Sequence, residues 1–376
     1  MSDGTRSVVV DASNLHVGGG VQVAASILDE MSRLDGPGWI PRASYLVSSE
    51  VDANVSPATR ERLHLQVADT RPLTPRRWVP RRRRYDVSFS VFGPEYGWPR
   101  ARRRVVGFAD VRSIYPTPVG MAATRRERAF VSLRSLVARR MFKSADRLVV
   151  ESQAMADRLV EVGLAGRTAV EVVSNSYSAV FDEPEQWVKM TVPRSGAPRE
   201  FVLCFIARAY PHKNHAFLPR LAAAASELGV KLTFLVTLTD EEWGTMPADV
   251  RACCVNVGAI SVAQAPEIYE SVDGSVFPSL LEAFSATPVE AMKMGRVLFA
   301  SDRDFVRAVC GDAAVYFDPL DAREAASSIV EVLTDPTLQA RYVARGHRVV
   351  AQLPTATERA REMVRIIDEE LELART

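Results

Sequence analysis

The sequence predicts an α/β protein of two doubly wound domains, and three observations predict it. The chain has 376 residues, more than one hydrophobic core usually fills. In both halves short apolar runs of strand length alternate with helical periodicity, the pattern of parallel sheets crossed by helices. Between Asp182 and Arg199 that pattern gives way to Pro, Gly and charged residues, the composition of a linker. The expected domains are 1–190 and 191–356, with a last amphipathic helix over 357–376 folding back over the first.

Hydrophobic residues make up 47% of the chain and charged ones 25%, a globular balance. No apolar run reaches bilayer-spanning length, and the start, M-S-D-G-T-R-S, lacks the charged-then-apolar order of a secretory signal, so a cytoplasmic protein is expected. Cys204, Cys253, Cys254 and Cys310 have no C-x-x-C spacing and no His at ligand distance, which argues against disulfides or zinc and for core positions. The net charge of +1 hides an asymmetry: 28 basic against 21 acidic residues through residue 190, then 19 against 25. Eleven arginines fall between Arg71 and Arg104, interleaved with Pro and aromatic residues. That mixture excludes one long helix. No nucleic-acid module accompanies it, so an anionic membrane surface or a phosphorylated acceptor is the expected partner, and nucleic acid is not.

Within the first half, strand Ser7 to Val10, the glycines Gly18, Gly19 and Gly20, and a helix from about Val21 to Ser32 follow in order. Three glycines at a helix start let amides approach an anion, although G-G-G matches neither the dinucleotide fingerprint nor the P-loop, and a plain flexible turn reads equally well. Further strands are expected at Tyr45 to Ser48, Leu63 to Val67, Val87 to Val91, Val105 to Phe108, Leu148 to Glu151 and Val170 to Val173, with helices at Arg125 to Phe142 and Gln153 to Glu161. Asp110 follows a strand, where loops carry function in parallel sheets; a structural turn Asp fits as well. The second series has strands Phe201 to Ile206, Lys231 to Val236, Val255 to Val257, Val297 to Ala300 and Val315 to Tyr316. Helices are expected at Ala216 to Leu228, Ala263 to Ser271, Ala322 to Thr334, Leu338 to Leu353 and Thr357 to Leu373.

The stretch Val276 to Gly295, V-F-P-S-L-L-E-A-F-S-A-T-P-V-E-A-M-K-M-G, concentrates the chemistry. Thr287-Pro288-Val289-Glu290 has the grammar of a capping box with Pro at the first helical position, and Gly295 supplies a stop. Glu282 stands eight residues before Glu290. A helix start suits phosphate, and carboxylates beside it suit the hydroxyls of a sugar or ribose. Simple capping explains Glu290 too, and the stretch alone leaves both readings open.

The Glu282 and Glu290 pair, Arg208 and Lys213 after the first strand of the second half, the early G-G-G, Asn175 and Val257-Gly258 together resemble retaining glycosyltransferases of family 4, which have the GT-B fold. The resemblance spans essentially the whole chain and is strongest from about Phe201 to Pro319. It implies two doubly wound domains facing across a cleft and transfer of a hexose or deoxyhexose from a nucleotide diphosphate sugar to a saccharide or lipid-linked acceptor, as in cell-surface polysaccharide synthesis. It assigns Arg208 and Lys213 to the diphosphate, Glu282 to the transferred sugar, Glu290 to the ribose, and the amides of Phe284, Ser285, Ala286 and Thr287 to sugar and phosphates. Gly258 would lie by the base, Gly18 to Gly20 would close on the donor, and Asp110 is a catalytic candidate. No cofactor and no metal are expected, and Asp302-Arg303-Asp304 reads as structural.

Some residues depart from the family pattern. The usual E-G-F-G-L is Glu282-Ala283-Phe284-Ser285-Ala286 here, and Ala109 stands where a His often precedes Asp110. A GT-B epimerase or hydrolase, or an inactive nucleotide-sugar-binding relative, are the rival readings. A peripheral position on the inner face of the plasma membrane would bring the arginine-rich stretch to a lipid acceptor.

Overall fold

The computed structural model describes residues 7–70, 84–95, 100–116, 125–166, 168–192 and 199–375, with only the backbone of 125–132. Two compact units emerge: one contains the described residues up to Asn175 together with Pro354 onward, and the other Ser176–Leu353.

The first unit is built on a parallel sheet of β1 (Val8–Ala12), β2 (Ser44–Val47), β3 (Gln66–Val67), β4 (Arg84–Ser90), β5 (Arg100–Gly107), β6 (Arg147–Val150) and β7 (Ala169–Val172). Its order is β3-β2-β1-β4-β5-β6-β7, so the winding reverses between β1 and β4. Val8, Val9, Val10 and Ala12 are all buried, as expected of a central parallel strand covered on both faces. Helix Gly19–Arg33 presents Ala24, Ile27, Leu28 and Met31 to the core, and the C-terminal helix Ala356–Leu373 packs on it through Ala360, Met363, Ile366 and Ile367.

Charge fixes that last helix as firmly as apolar burial does. Glu370, 1% exposed, accepts from Arg103 Nε at 2.6 Å and Arg147 Nε at 2.9 Å. Arg359 donates to Asn175 and, at 2.8 Å, to Ser26 Oγ, while Thr357 donates to Glu30 at 2.6 Å. Burial pushes the Glu151 carboxyl, which accepts from Asn175, up to about 7.

The second unit repeats the design with β8 (Glu200–Phe205), β9 (Lys231–Val236), β10 (Cys254–Asn256), β11 (Gly274–Phe277), β12 (Val297–Ser301) and β13 (Ala314–Phe317). The order β10-β9-β8-β11-β12-β13 reverses between β8 and β11. Phe205, Phe217, Phe234, Phe277, Phe299 and Phe317 fill its core.

Several boundaries differ from the sequence expectation. The division falls after Asn175 rather than after residue 190, because the segment beyond it packs on the second unit: Phe181 joins that core and Val188 N–H donates to Ala263 O at 2.9 Å. On the return it falls after Leu353, not 356. Of the strand expected at Leu63 to Val67 only Gln66–Val67 forms; Leu63 closes helix Pro57–Leu63, whose first turn is capped by Ser56 Oγ. Short helices at Ser49–Asn54, Asp240–Thr245, Ala248–Cys253 and Asp304–Cys310 were not expected, being too brief for a clear period. Within the arginine-rich stretch, 71–83 and 96–99 lie outside the described residues. Arg103 also meets Asp146 at 2.9 Å, and Arg104 pairs with the buried Glu95. Those two arginines balance internal acids.

Replacing Glu370 by Ala leaves Arg103 and Arg147 without their shared buried acceptor. The expected cost is about 3 kcal/mol, read as a lowered urea midpoint for the first unit, with the second unit's transition unmoved.

Candidate active site

In doubly wound sheets, loops leaving the strand ends on either side of the reversal form the natural binding crevice. In the second unit these are the loops after β8 and β11. They are stitched together by backbone: Leu280 N–H donates to His212 O at 2.7 Å. Asn214, in the left-handed region at φ 61°, sends its side-chain amide to Pro278 O at 3.3 Å and Pro319 O at 3.1 Å. Asn tolerates that conformation better than most residues.

This stitching brings Lys213 Nζ to 2.6 Å from Glu282 Oε1, with the two side chains 12% and 11% exposed. The ammonium also lies 5.3 Å from the centre of the Phe277 ring. Glu282 Oε1 is buried and has no aligned hydrogen-bond donor, so the contact is primarily an ion pair, leaving lone-pair capacity for a hydroxyl. His212 Nε2 stands 3.8 Å from Glu282 Oε2, its ring stacked on Tyr210 at 5.5 Å between centroids and 13° between planes. Further along the same loop, burial and the Lys213 charge press the His215 imidazole down to about 4, so this ring is neutral.

Arg208 points elsewhere. Its Nε donates to Glu242 Oε1 at 2.8 Å, an oxygen that also accepts from Ala209 N–H at 3.1 Å. Against a desolvation cost, the Thr239 backbone and Arg208 bonds hold the Glu242 carboxyl below its usual value. The guanidinium remains 43% exposed, so Glu242 orients it without enclosing it. Sequence reasoning missed Glu242, although Thr239-Asp240-Glu241-Glu242 is a capping box that the structure realises.

The box expected at Thr287 to Glu290 does not form. The helix runs Ala286–Lys293 with Ser285 at its cap position and no side-chain cap, so Pro288 is not the first helical residue. Thr287 instead donates its hydroxyl to Ile206 O at 3.1 Å, tying the helix to the end of β8. Glu290 lies one turn inside the helix and accepts from Tyr269 Oη at 3.1 Å. Both side chains found tertiary partners that the local grammar could not reveal. Burial raises the Glu290 carboxyl to about 7, opposed by the Tyr269 hydrogen bond. The first-turn amides therefore carry no side-chain cap, an arrangement suited to an anion. Gly295, at φ 64°, stops the helix as expected. Phe284, Ser285 and Ala286 lead into it, half-buried, and Gly258, at φ 81°, turns the loop after β10.

In the first unit, Gly18 at φ 69° precedes helix Gly19–Arg33, which Gly19 and Gly20 begin. Asp110 follows β5; burial raises its carboxyl, and its carbonyl accepts from Ser113 Oγ at 2.8 Å. Asn175 belongs to the Glu151 and Arg359 network. In the second unit Asp302 pairs with Arg307, and Arg303 with Asp318 at 3.2 Å.

Thus the structure joins Lys213 to Glu282 and joins Thr287 and Glu290 through Tyr269, whereas Arg208 is drawn to Glu242. Tyr269 and His212 went unrecognised. His212 was legible as the neighbour of Lys213; Tyr269 carried no signal.

Two doubly wound parallel units, the second with cationic and acidic loops at its reversal point, define an α/β fold of the GT-B class. Within it, residues 200–335 match the family described as Glycosyl transferases group 1. No curated protein matches the chain by sequence. Among solved structures, the sucrose-phosphate synthase of Thermosynechococcus elongatus is similar at TM-score 0.69 and 14% identity, covering 98% of this chain and 100% of that one. A glycosyltransferase from Rickettsia africae gives 0.66 at 13%, covering 98% and 99%. Anabaena Alr3699/HepE in complex with UDP-glucose gives 0.65 at 14%, covering 97% and 99%.

Because the folded Glu290 carboxyl titrates near 7 rather than 4.5, the native state holds its proton more tightly than the unfolded chain. Its contribution to stability is full below the unfolded value and is lost as pH rises through about 7. Denaturant titrations across that window should show stability falling with pH, and Glu290→Gln should flatten the fall. An unchanged slope in the variant contradicts the assignment.

Proposed function

We propose that this chain transfers a sugar from a nucleotide diphosphate donor to an acceptor hydroxyl. The observation that carries the reading is the Lys213 and Glu282 pair, held beside the uncapped start of helix Ala286–Lys293 at the reversal point of the second sheet. Support comes from the group 1 match over the same residues and from solved structures of the same fold named as holding UDP-glucose, or UDP and glucose.

In this reading the donor's diphosphate lies at the helix start, where backbone amides, Lys213 and the exposed guanidinium of Arg208 meet its charge. The bond from the anomeric carbon to the diphosphate oxygen breaks, and its electron pair stays on that oxygen, where charge develops and stabilisation counts most. The acceptor hydroxyl bonds to the anomeric carbon on the face the diphosphate leaves, and its proton passes to a phosphate oxygen. Configuration is retained. Glu282 takes hydrogen bonds from the transferred hexose or deoxyhexose and tempers Lys213. Glu290 takes them from the ribose, with Tyr269 fixing the carboxyl. Cationic side chains meet the diphosphate, so no metal is assigned there.

The acceptor is a saccharide or a lipid-linked sugar, and the protein works in the cytoplasm at the inner face of the membrane, making cell-surface polysaccharide or glycoconjugate. Arg103 and Arg104 are each paired with a buried internal acid. No helix among the described residues is long and apolar enough to cross a membrane.

A panel of nucleotide sugars tested for heat protection, followed by mass spectrometry of the product, checks the reaction. Lys213→Ala should lower kcat by roughly 10²–10³-fold. Glu290→Gln should weaken donor binding about tenfold, whereas Glu282→Ala should chiefly reduce kcat. Absence of protection by every donor, or equal and purely structural losses from both glutamates, would return Glu290 to a packing role.

A further inference from the structure

Outside the donor site, one cluster of metal-ligating side chains stands at the functional edge of the first sheet. His16 follows β1, Glu50 lies in the first turn of helix Ser49–Asn54 after β2, and Asp69 lies just after β3, so segments leaving the carboxyl ends of three adjacent strands converge. Their ligand atoms all lie within 4.8 Å of one another. His16 Nδ1 is 3.0 Å from Glu50 Oε2 and 4.0 Å from Asp69 Oδ1.

The other ring nitrogen settles the orientation. His16 Nε2 lies 2.9 Å from Thr70 O, and a carbonyl only accepts, so Nε2 carries hydrogen and donates. Nδ1 is thereby turned towards two carboxylates. Neither Glu50 nor Asp69 has a Lys or Arg ion-pair partner among the described residues. With Nε2–H on the carbonyl, the site facing the two acidic oxygens holds either a proton on Nδ1 or a metal ion shared with the carboxylates. An imidazole whose remote N–H is held by a backbone carbonyl is also the usual form of a metal-bound histidine.

The surroundings are ordered for the task. Ser49 donates to Asp69 Oδ1 from its backbone at 2.8 Å and from its hydroxyl at 3.1 Å, fixing that carboxylate. Thr70 N–H donates to Ser13 O at 2.8 Å, and Ser13 Oγ to Thr70 Oγ1 at 2.8 Å, tying the first and third loops. Tetrahedral zinc with bonds near 2.0–2.1 Å needs its ligand atoms about 3.4 Å apart, a value within the span seen here.

We propose that His16, Glu50 and Asp69 bind one divalent transition-metal ion of the zinc class, with water completing the coordination. One nitrogen and two carboxylate ligands favour zinc or manganese over magnesium. The two negative charges match the ion. Bound there, it clamps the loop that leads from β1 to Gly18 to the start of helix Ser49–Asn54 and to the segment after β3. This site is independent of the sugar-transfer reading and assigns no metal to the diphosphate.

The test uses the full chain without an affinity tag, dialysed against chelator and then titrated with zinc, manganese or magnesium chloride. Elemental analysis and thermal melting are the readouts, and cobalt absorption reports the geometry. Zinc or manganese should bind at one ion per chain and raise the melting temperature, with magnesium much weaker. His16→Gln and Asp69→Asn should each weaken binding by about tenfold or more, with unchanged circular dichroism. Asp69→Asn keeps the question answerable if the histidine variant fails to fold. No saturable binding, or binding that both variants leave intact, overturns the proposal. So does a melting temperature that responds to pH alone and never to metal, which would leave a proton in place of the ion.

Discussion

Everything proposed for the second unit depends on the contact between Lys213 and Glu282. A buried ion pair gains from proximity only where its geometry is enforced, because desolvation of both groups opposes it. Here the enforcement is backbone: Leu280 N–H on His212 O, and Asn214 bridging to Pro278 and Pro319, set the two loops before either side chain is placed. Sheet order does the rest, since the reversal between β8 and β11 puts those two loops side by side. The pair is therefore a consequence of winding and loop stitching, and in the proposed reaction it presents charge where a leaving diphosphate would need it.

A second constraint, in the first unit, is the distribution of its positive charge. Arg103, Arg104, Arg147 and Arg359 are engaged by Glu370, Asp146, Glu95 and Asn175, largely to hold the C-terminal helix and the sheet together. A basic half of a chain suggests an external anion when only composition is read. Seen with its partners, part of that excess is internal, because acidic residues from distant sequence positions are brought against it.

The motif S/T-x-x-E shows where local grammar succeeds and where it fails. At Thr239 to Glu242 and Thr355 to Glu358 the capping box forms as written. At Thr287 to Glu290 the same letters give no cap, because Ile206 O and the Tyr269 hydroxyl compete for the two side chains. A cap at an exposed helix start meets no such rivals. At a buried one beside the end of β8, tertiary partners prevail, and the uncapped amides and raised carboxyl that result are the features a nucleotide sugar would use.

The sequence by itself determined the class of fold, most strands and long helices, and the identity of Glu282 and Glu290 as residues of interest, since apolar periodicity and residue spacing are local properties, while Lys213 was marked by the family resemblance. It also placed Gly295 at a helix stop, where a positive φ requires glycine. Only the tertiary structure decided that Arg208 meets Glu242, that Glu290 meets Tyr269, that the chain changes units after Asn175, and that His16, Glu50 and Asp69 converge. Each of these joins residues far apart in sequence, and their proximity follows from the strand order of a sheet, which no local pattern encodes.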